Sequence, residues 1–321
     1  METRNFGQLG RVSALTLGGG GIAGVWGSTD RAEAVATVHA AIDAGITMLD
    51  LAPSYGDDFE AERAAGEALR ARPAPDVLIT SKVQLPDNQV SSAPTRIRES
   101  LHNSLGLLGR DHLDLFLLHT HIGAQDGSAN PADVVRWNVY RDEVIGEFEK
   151  LRAEGLIRAW GITAVGRPDS VIAALGSAPR PAAAQVVVNA LDSNGDLWGF
   201  DPSVRPANDE IIKAATSNDV AVIGIRAVAA GSLTDALDRE LDPRHPAAVD
   251  FSRAAPFRKL AAEFGESAAS LAHRYALSVP GVATVVLGVK NRAELADCLA
   301  AEARGPLTPA ELQAVRALEL S

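Results

Sequence analysis

The sequence contains one cysteine, Cys298, so no intrachain disulfide can form, which suits a reducing compartment. It carries no excess of positive charge. The formal net charge is −11, which argues against a generic binder of nucleic acid or of anionic membranes but leaves room for a local basic pocket. No apolar run approaches the roughly 18 residues that a membrane-crossing helix needs. The opening METRNFGQLGRVS lacks the basic-then-apolar order of a secretory signal. The expectation is a soluble, cytoplasmic protein that binds neither nucleic acid nor membrane. Catalytic motifs of other classes are missing too. The seven histidines include no His-Glu-x-x-His ligand spacing, and no Gly-x-Ser-x-Gly nucleophile elbow occurs. His119-Thr-His121 invites a metal reading, but Asp50 is the one carboxylate at hand and Lys82 claims it.

What the chain does have is an alternation. Short runs, apolar on both faces, recur eight times: Leu15–Leu17, Ile46–Asp50, Val77–Lys82, Leu113–Leu118, Ile157–Ile162, Ala183–Val188, Val220–Ile225 and Ala283–Leu287. Such runs are strands of a parallel sheet covered on both sides. Between them lie segments of helical period, such as Val35, Val38 and Ile42, or Ile97, Leu101 and Leu105. Glycines at Ala44-Gly45, Glu154-Gly155 and Leu175-Gly176 read as left-handed helix caps.

Eight strand–helix repeats favour a closed (β/α)8 TIM barrel of the α/β class over an open doubly wound sheet. Gly18–Gly21 follows a strand, but it leads into Ile22-Ala-Gly-Val-Trp26 and not cleanly into a helix, so the dinucleotide fingerprint of open sheets is not met. The stretch Phe6–Val12 reads as an N-terminal β-hairpin capping the barrel bottom. Leu312, Val315 and Leu318 read as a C-terminal extra helix. No linker or low-complexity tract interrupts the 321 residues, so 1–321 reads as one domain.

Active sites of such barrels form at the C-terminal strand ends. Asp50, Lys82 and His119 close strands two, three and four, and Tyr55 lies five residues beyond Asp50. Singly, each has an ordinary explanation: a helix cap, a solvent-reaching lysine, a structural histidine, a packing tyrosine. Together they make a proton-transfer device. A phenol with a pKa near about 10 is a poor acid–base near neutrality. An adjacent ammonium favours the phenolate, and a carboxylate holds that ammonium in place. No side chain supplies a hydride, so a cofactor must.

Asp50-Leu-Ala-Pro-Ser-Tyr55-Gly-Asp-Asp-Phe-Glu-Ala-Glu62 resembles the Asp-Thr-Ala-x-x-Tyr-Gly signature of the aldo-keto reductase family. Ile-Thr-Ser-Lys82, Asp114-Leu-Phe-Leu-Leu-His119 and Leu151-Arg-Ala-Glu-Gly-Leu-Ile-Arg-Ala-Trp-Gly161-Ile-Thr163 follow in the family's order, so the resemblance covers essentially the whole chain. It implies the tetrad Asp50, Tyr55, Lys82 and His119, and an extended NAD(P)H across the barrel mouth. It implies hydride transfer between nicotinamide C4 and a carbonyl carbon, with Tyr55 supplying the proton. It assigns Thr163 and Gln185 to the carboxamide, although Ala164 stands where the family commonly has Asn. Ile225 replaces the usual stacking tyrosine, with Arg226 beside it as a candidate cofactor contact. Ala229–Leu233, with Gly231 and Leu233, resembles the segment that covers the pyrophosphate.

Gly288, Lys290, Asn291 and Arg292 follow strand eight and open a helix, as the adenosine 2′-phosphate site does in that family. Two cations at a helix N-terminus oppose its dipole, which points to an anion there. The expected cofactor is therefore NADP(H), with NAD(H) the alternative. Asp297 and Cys298 replace the Glu-Asn that contacts adenine. Trp26, Trp160 and Trp198 are candidate walls of the substrate pocket. The loops His121–Asn130, Leu191–Pro206 and Ala229–Asp250 are long, and the loop with Asp192, Ser193, Asn194 and Asp196 is polar enough for a hydroxylated substrate such as a sugar. The leading function is NADPH-dependent reduction of an aldehyde or ketone. The alternatives are a sugar or alcohol dehydrogenase working oxidatively, and a cofactor-binding regulatory subunit with little turnover. The partner is a small carbonyl or alcohol, and oligomeric state is not legible.

Overall fold

Three of the eight apolar runs begin as strands later than their sequence pattern suggests, for one reason. The amides of Ile46 and Val220 close the ends of the preceding helices onto Ala41 O and Ala215 O, and that of Val77 closes a turn onto Ala74 O. Pairing therefore starts one or two residues further on. In this computed structural model, which describes residues 1–85, 92–128, 134–318 and 320, the chain opens with strands β1 (Thr3–Asn5) and β2 (Arg11–Ser13). Eight barrel strands follow: β3 (Leu15–Gly18), β4 (Met48–Asp50), β5 (Leu78–Val83), β6 (Leu113–Leu118), then β9 (Ile157–Thr163), β10 (Ala183–Val187), β11 (Ala221–Ile225) and β12 (Val282–Leu287). A short parallel pair, β7 (His121–Ile122) and β8 (Val134–Val135), lies in the excursion after β6.

The eight strands are all parallel and close in the order β10-β11-β12-β3-β4-β5-β6-β9. This is the (β/α)8 barrel. Helices of eight or more residues include Arg31–Asp43, Glu60–Ala71, Ala93–Leu108, Pro168–Gly176, Asn208–Ser217, Ala268–Ser278 and Arg292–Ala303, and they pack on the outside. The expected extra helix at the C-terminus is Pro309–Arg316, started by a capping box between Thr308 and Glu311. Gly45 and Gly155 take the left-handed cap conformation at φ 89° and 76°. Gly176 does not: it is the last helical residue, and Ser177 leaves the helix in an extended conformation. The loop expected over Ala229–Asp250 ends in a helix, Pro246–Arg253, and part of His121–Asn130 lies outside the described residues.

β1 and β2 form the expected hairpin, antiparallel, with Thr3 opposite Ser13. Its Phe6, Leu9 and Val12 pack with Met48, Leu78, Leu115, Ala159, Ala183, Ile223 and Ala283, the inward-facing residues of the barrel's lower half. The hairpin thus plugs the bottom, and truncating Phe6 to alanine would cost roughly 3–5 kcal/mol. With the lower lumen filled by apolar side chains, the polar residues two positions further along each strand sit at the open, C-terminal end. Among the described residues, no helix is long and apolar enough to cross a membrane.

Candidate active site

Strand parity selects the site. Met48 faces the lumen, so Asp50, two residues on, does too, and likewise Lys82 after Leu78 and Thr80. Lys82 is fully buried and Asp50 is 2% exposed. Lys82 Nζ donates to Asp50 Oδ2 at 2.9 Å and to Leu51 O at 2.8 Å. Gln185 Nε2 donates to Asp50 Oδ1 at 2.7 Å. Both carboxylate oxygens are thereby held, and a buried ion pair becomes tolerable only when its remaining hydrogen-bonding capacity is met this way. From outside the barrel, buried Glu62 accepts from Ser81 Oγ at 2.6 Å and braces the strand that carries Lys82.

The Tyr55 ring lies 4.5 Å from Lys82 Nζ, measured to its centroid, and meets the His119 ring edge-on at 5.7 Å. Asp50, Tyr55, Lys82 and His119 are therefore neighbours. Burial pulls the Lys82 ammonium down, but the Asp50 charge, helped by hydrogen bonding to Asp50 and Tyr55, outweighs it and its pKa lies above the ordinary lysine value. For Tyr55 the balance differs from expectation. Lys82 does favour the phenolate, yet burial, assisted by the Asp50 charge, wins, and the phenol's pKa is raised. Burial, with Lys82 and His121 adding to it, drives His119 down to about 3. Near neutrality the trio is an ammonium, a neutral phenol and a neutral imidazole.

Among the buried polar atoms with no hydrogen-bond partner among the described residues, Thr163 Oγ1, His119 Nδ1 and Arg226 Nε follow or close barrel strands at this end, and Arg96 Nε lies in the wall of the neighbouring cleft. Folded proteins seldom leave such atoms unmatched, which fits polar ligands at this end of the barrel. Thr163 pairs in register with Gln185, but the Gln185 amide is spent on Asp50, so it supports the tetrad at least as directly as any cofactor. A cleft of about 310 Å³ opens onto Lys82 and His119, walled by Ser54, Phe59, Gln84, Arg96 and Asn103. None of the three tryptophans lines it.

Trp160 is not a pocket wall. Ala159 faces the lumen, so its neighbour faces outward, where Trp160 stacks on Phe148 at 5.5 Å and donates Nε1–H to Glu149 at 2.6 Å. Trp198 packs on Phe200, and Phe200 stacks on His121, which brings the loop after β10 against the excursion after β6. Phe200 escaped notice in the sequence, and His121 reads there only as a possible metal partner of His119, because only this packing couples the two. Trp26 lies at the mouth: a Cβ built on Gly20 would sit 3.0 Å from its Nε1, and one on Gly288 3.5 Å from it.

The expected phosphate end is already saturated. Lys290 Nζ pairs with Asp238 at 2.5 Å and Glu294 at 2.9 Å, and Arg292 Nη2 with Glu33 at 2.9 Å. The Asn291 side chain caps its own helix by accepting from Glu294 N, while Glu294 and Glu33 accept from the amides of Lys290 and Arg292. The anion implied by two cations at a helix start is supplied by the protein's own carboxylates. Asp297 is exposed on the same helix and Cys298 is buried. After β11, the amides of Gly231 and Leu233 both close turns onto Val228 O, and the Leu233 side chain is core. They are not directed at a ligand, because the turn consumes them. Among the described residues no group of three metal-ligating side chains occurs.

The model of the Aldo/keto reductase family matches residues 14–320. L-galactose dehydrogenase of Arabidopsis thaliana is 27% identical over 304 residues, which cover 94% of this chain and 88% of the relative. The holo form of aldo-keto reductase AKR11C1 from Bacillus halodurans superimposes with a TM-score of 0.73 at 26% identity, covering 99% of this chain and 96% of that one. Glycerol dehydrogenase AKR11B4 from Gluconobacter oxydans shares the fold, with a TM-score of 0.70 at 24% identity over 98% and 93% of the two chains.

Proposed function

The chain belongs to the aldo/keto reductase family, an NAD(P)H-dependent oxidoreductase family, and we propose that it reduces an aldehyde or ketone to an alcohol with Tyr55 as the proton donor. The observation that carries this reading is the geometry of the tetrad: the Tyr55 ring lies 4.5 Å from Lys82 Nζ and meets the His119 ring edge-on, and Lys82 is fixed by Asp50 and Leu51 O. Burial keeps the proton on the Tyr55 phenol, and the Lys82 ammonium beside it eases the departure of that proton. Bound nicotinamide supplies the hydride. Lys82, held by Asp50 and Leu51 O, stabilises the charge that Tyr55 acquires as its proton leaves. Neutral His119 serves as an uncharged hydrogen-bonding group that orients the carbonyl oxygen. It is not a second acid: with a pKa of about 3 the imidazolium form is absent near neutrality, and the neutral ring keeps its one N–H as a hydrogen-bond donor.

Thr163 Oγ1, unpartnered at the mouth, would hold the carboxamide. For the cofactor we propose NADP(H), with NAD(H) accepted. Lys290 and Arg292 would take the 2′-phosphate by exchanging it for Glu33 and Asp238. Exposed ion pairs are cheap to break, but the displaced carboxylates stay nearby, so the preference for NADPH is expected to be about tenfold or less. The Arabidopsis relative is a dehydrogenase of L-galactose, a sugar, which supports a hydroxylated carbonyl as substrate here. The test is titration of the protein with NADPH and with NADH, followed by aldehydes under the tighter cofactor. Failure to bind either cofactor removes the reading. Binding with oxidation of alcohols but no reduction of carbonyls reverses its direction.

A further inference from the structure

Arg226 is expected from the sequence to contact the cofactor, but its surroundings point to the substrate. Its side chain is 10% exposed, its Nε has no partner among the described residues, and its backbone is left-handed at φ 58°. A side-chain-bearing residue adopts that conformation at a cost, and such positions cluster at functional sites. The guanidinium reaches from the end of β11 to two neighbours. It lies 5.8 Å from the Trp26 ring centre and ion-pairs with Asp196, in the loop after β10.

The location is beside the tetrad. Gly19 and Gly20 are consecutive residues of the turn after β3. A Cβ on Gly19 would lie 3.2 Å from Tyr55 Cδ2, and one on Gly20 would lie 3.0 Å from Trp26 Nε1. Tyr55 and Trp26 therefore pack on consecutive bare positions of the same helical turn, and Arg226, which lies by Trp26, is close enough for its charge to act on Tyr55.

The loop that carries Asp196 is fixed before any ligand arrives. Asn189 exchanges hydrogen bonds with Ser193, accepting from its amide at 3.2 Å and donating to its carbonyl at 2.9 Å. Ser193 Oγ donates to Asp250 at 2.6 Å, and Asn208 Nδ2 donates to Asp192 and to Asn194. Asp192, Ser193 and Asn194 are thus spent inside the loop. Asp196, its side chain 41% exposed, is left as the acceptor beside the mouth.

Resting on the reductase reading above, we propose that Arg226 and Asp196, with the face of Trp26, form a subsite that binds vicinal hydroxyl groups of the substrate. The substrate is then a polyhydroxylated aldehyde or ketone. A guanidinium donates and a carboxylate accepts, and a diol does both, so the pair and the ligand complement each other. The indole supplies an apolar face for the C–H side of a carbohydrate. A carboxylated or phosphorylated substrate fits poorly, because Asp196 already balances Arg226 and would repel it. An alkyl aldehyde fits poorly for another reason: it leaves the buried Arg226 Nε unmatched, and sites built for hydroxyls reject analogues that lack them.

The test compares three aldehydes, glyceraldehyde, propanal and glyoxylate, in the wild type and in Asp196→Ala. The wild type is expected to favour glyceraldehyde over propanal by at least about tenfold in kcat/KM. In Asp196→Ala that ratio should fall to about threefold or less. Glyoxylate should gain on propanal, because Arg226 then stands uncompensated; a purely structural role for Asp196 would not produce that gain. Equal use of glyceraldehyde and propanal by the wild type overturns the subsite and leaves the reductase reading intact. So does a ratio unchanged by the substitution. If none of the three is reduced, the reductase reading is in trouble, and the subsite is judged by calorimetric titration of xylitol into the NADP-loaded protein. Xylitol binding weakened about tenfold or more in Asp196→Ala supports it, and equal binding overturns it.

Discussion

The rim formed by β4, β5 and β6 and the rim formed by the segments after β11 and β12 both carry paired charges, on opposite plans. On the first, Lys82 and Asp50 are buried, Gln185 and Leu51 O take up remaining hydrogen bonds, and one geometry is possible. On the second, Lys290, Arg292, Asp238 and Glu33 are all partly in contact with solvent, from 17% exposed at Lys290 to 60% at Arg292, so water or a ligand can replace a partner. A buried pair cannot be rearranged without exposing an uncompensated charge. An exposed one costs little to reorganise. The chemistry sits on the rim that must not move, and the cofactor's charged end is assigned to the rim that can.

The sharpest break of this contrast is Tyr55→Phe. Turnover should fall by about 10²–10⁴-fold, the usual worth of a positioned general acid, while NADPH affinity changes by less than about twofold. Turnover near that of the wild type would remove Tyr55 from its role. Next comes stability. Asp50→Ala leaves Lys82 charged and buried, and should cost about 3–5 kcal/mol by urea unfolding. Asp238→Ala on the exposed rim should cost less than about 1 kcal/mol. Similar losses would mean that the two rims do not differ as described. Smaller again is Lys290→Ala combined with Arg292→Ala. It should weaken NADPH by roughly tenfold and NADH by no more than about twofold, with the difference shrinking as salt is added. Equal losses would place the phosphate elsewhere.

The smallest expected effect is a flat stretch in a pH profile. His119 is already neutral above about 3, and Tyr55, its pKa raised by burial, keeps its proton through neutrality. The reductive kcat should therefore vary by less than about twofold between roughly pH 5 and 9, and decline only on the alkaline side as Tyr55 loses its proton. A limb near the ordinary histidine value of about 6.5 would show that His119 titrates in the working enzyme.

Legibility followed the same division. Asp50, Lys82 and His119 could be read because each closes a short, doubly buried strand, where a polar residue has one place to go. Trp160 was misjudged although the sequence held the corrective: Gly161 and Thr163 share a face with Ala159, which puts Trp160 on the other. Lys290 and Arg292 were found as cations, but Arg292 meets Glu33, 259 residues away in sequence, and no local pattern shows such a pairing. Arg226 reads as a cofactor contact beside Ile225, since its neighbours Trp26 and Asp196 arrive from two other loops. Gly176 stood where a left-handed cap was expected, yet the chain leaves that helix in an extended conformation at Ser177.

The sequence by itself determined the eightfold strand–helix alternation, the plugged barrel bottom and the residues that close β4, β5 and β6. Burial and backbone period act locally, and a chain cannot place these patterns otherwise without exposing apolar strands. Tertiary structure alone decided the protonation balance at Tyr55, the carboxylates that occupy Lys290 and Arg292, and the meeting of Arg226 with Asp196 and Trp26. Desolvation and ion pairing depend on which distant segments come within a few ångströms, and closure of the barrel is what brings them there.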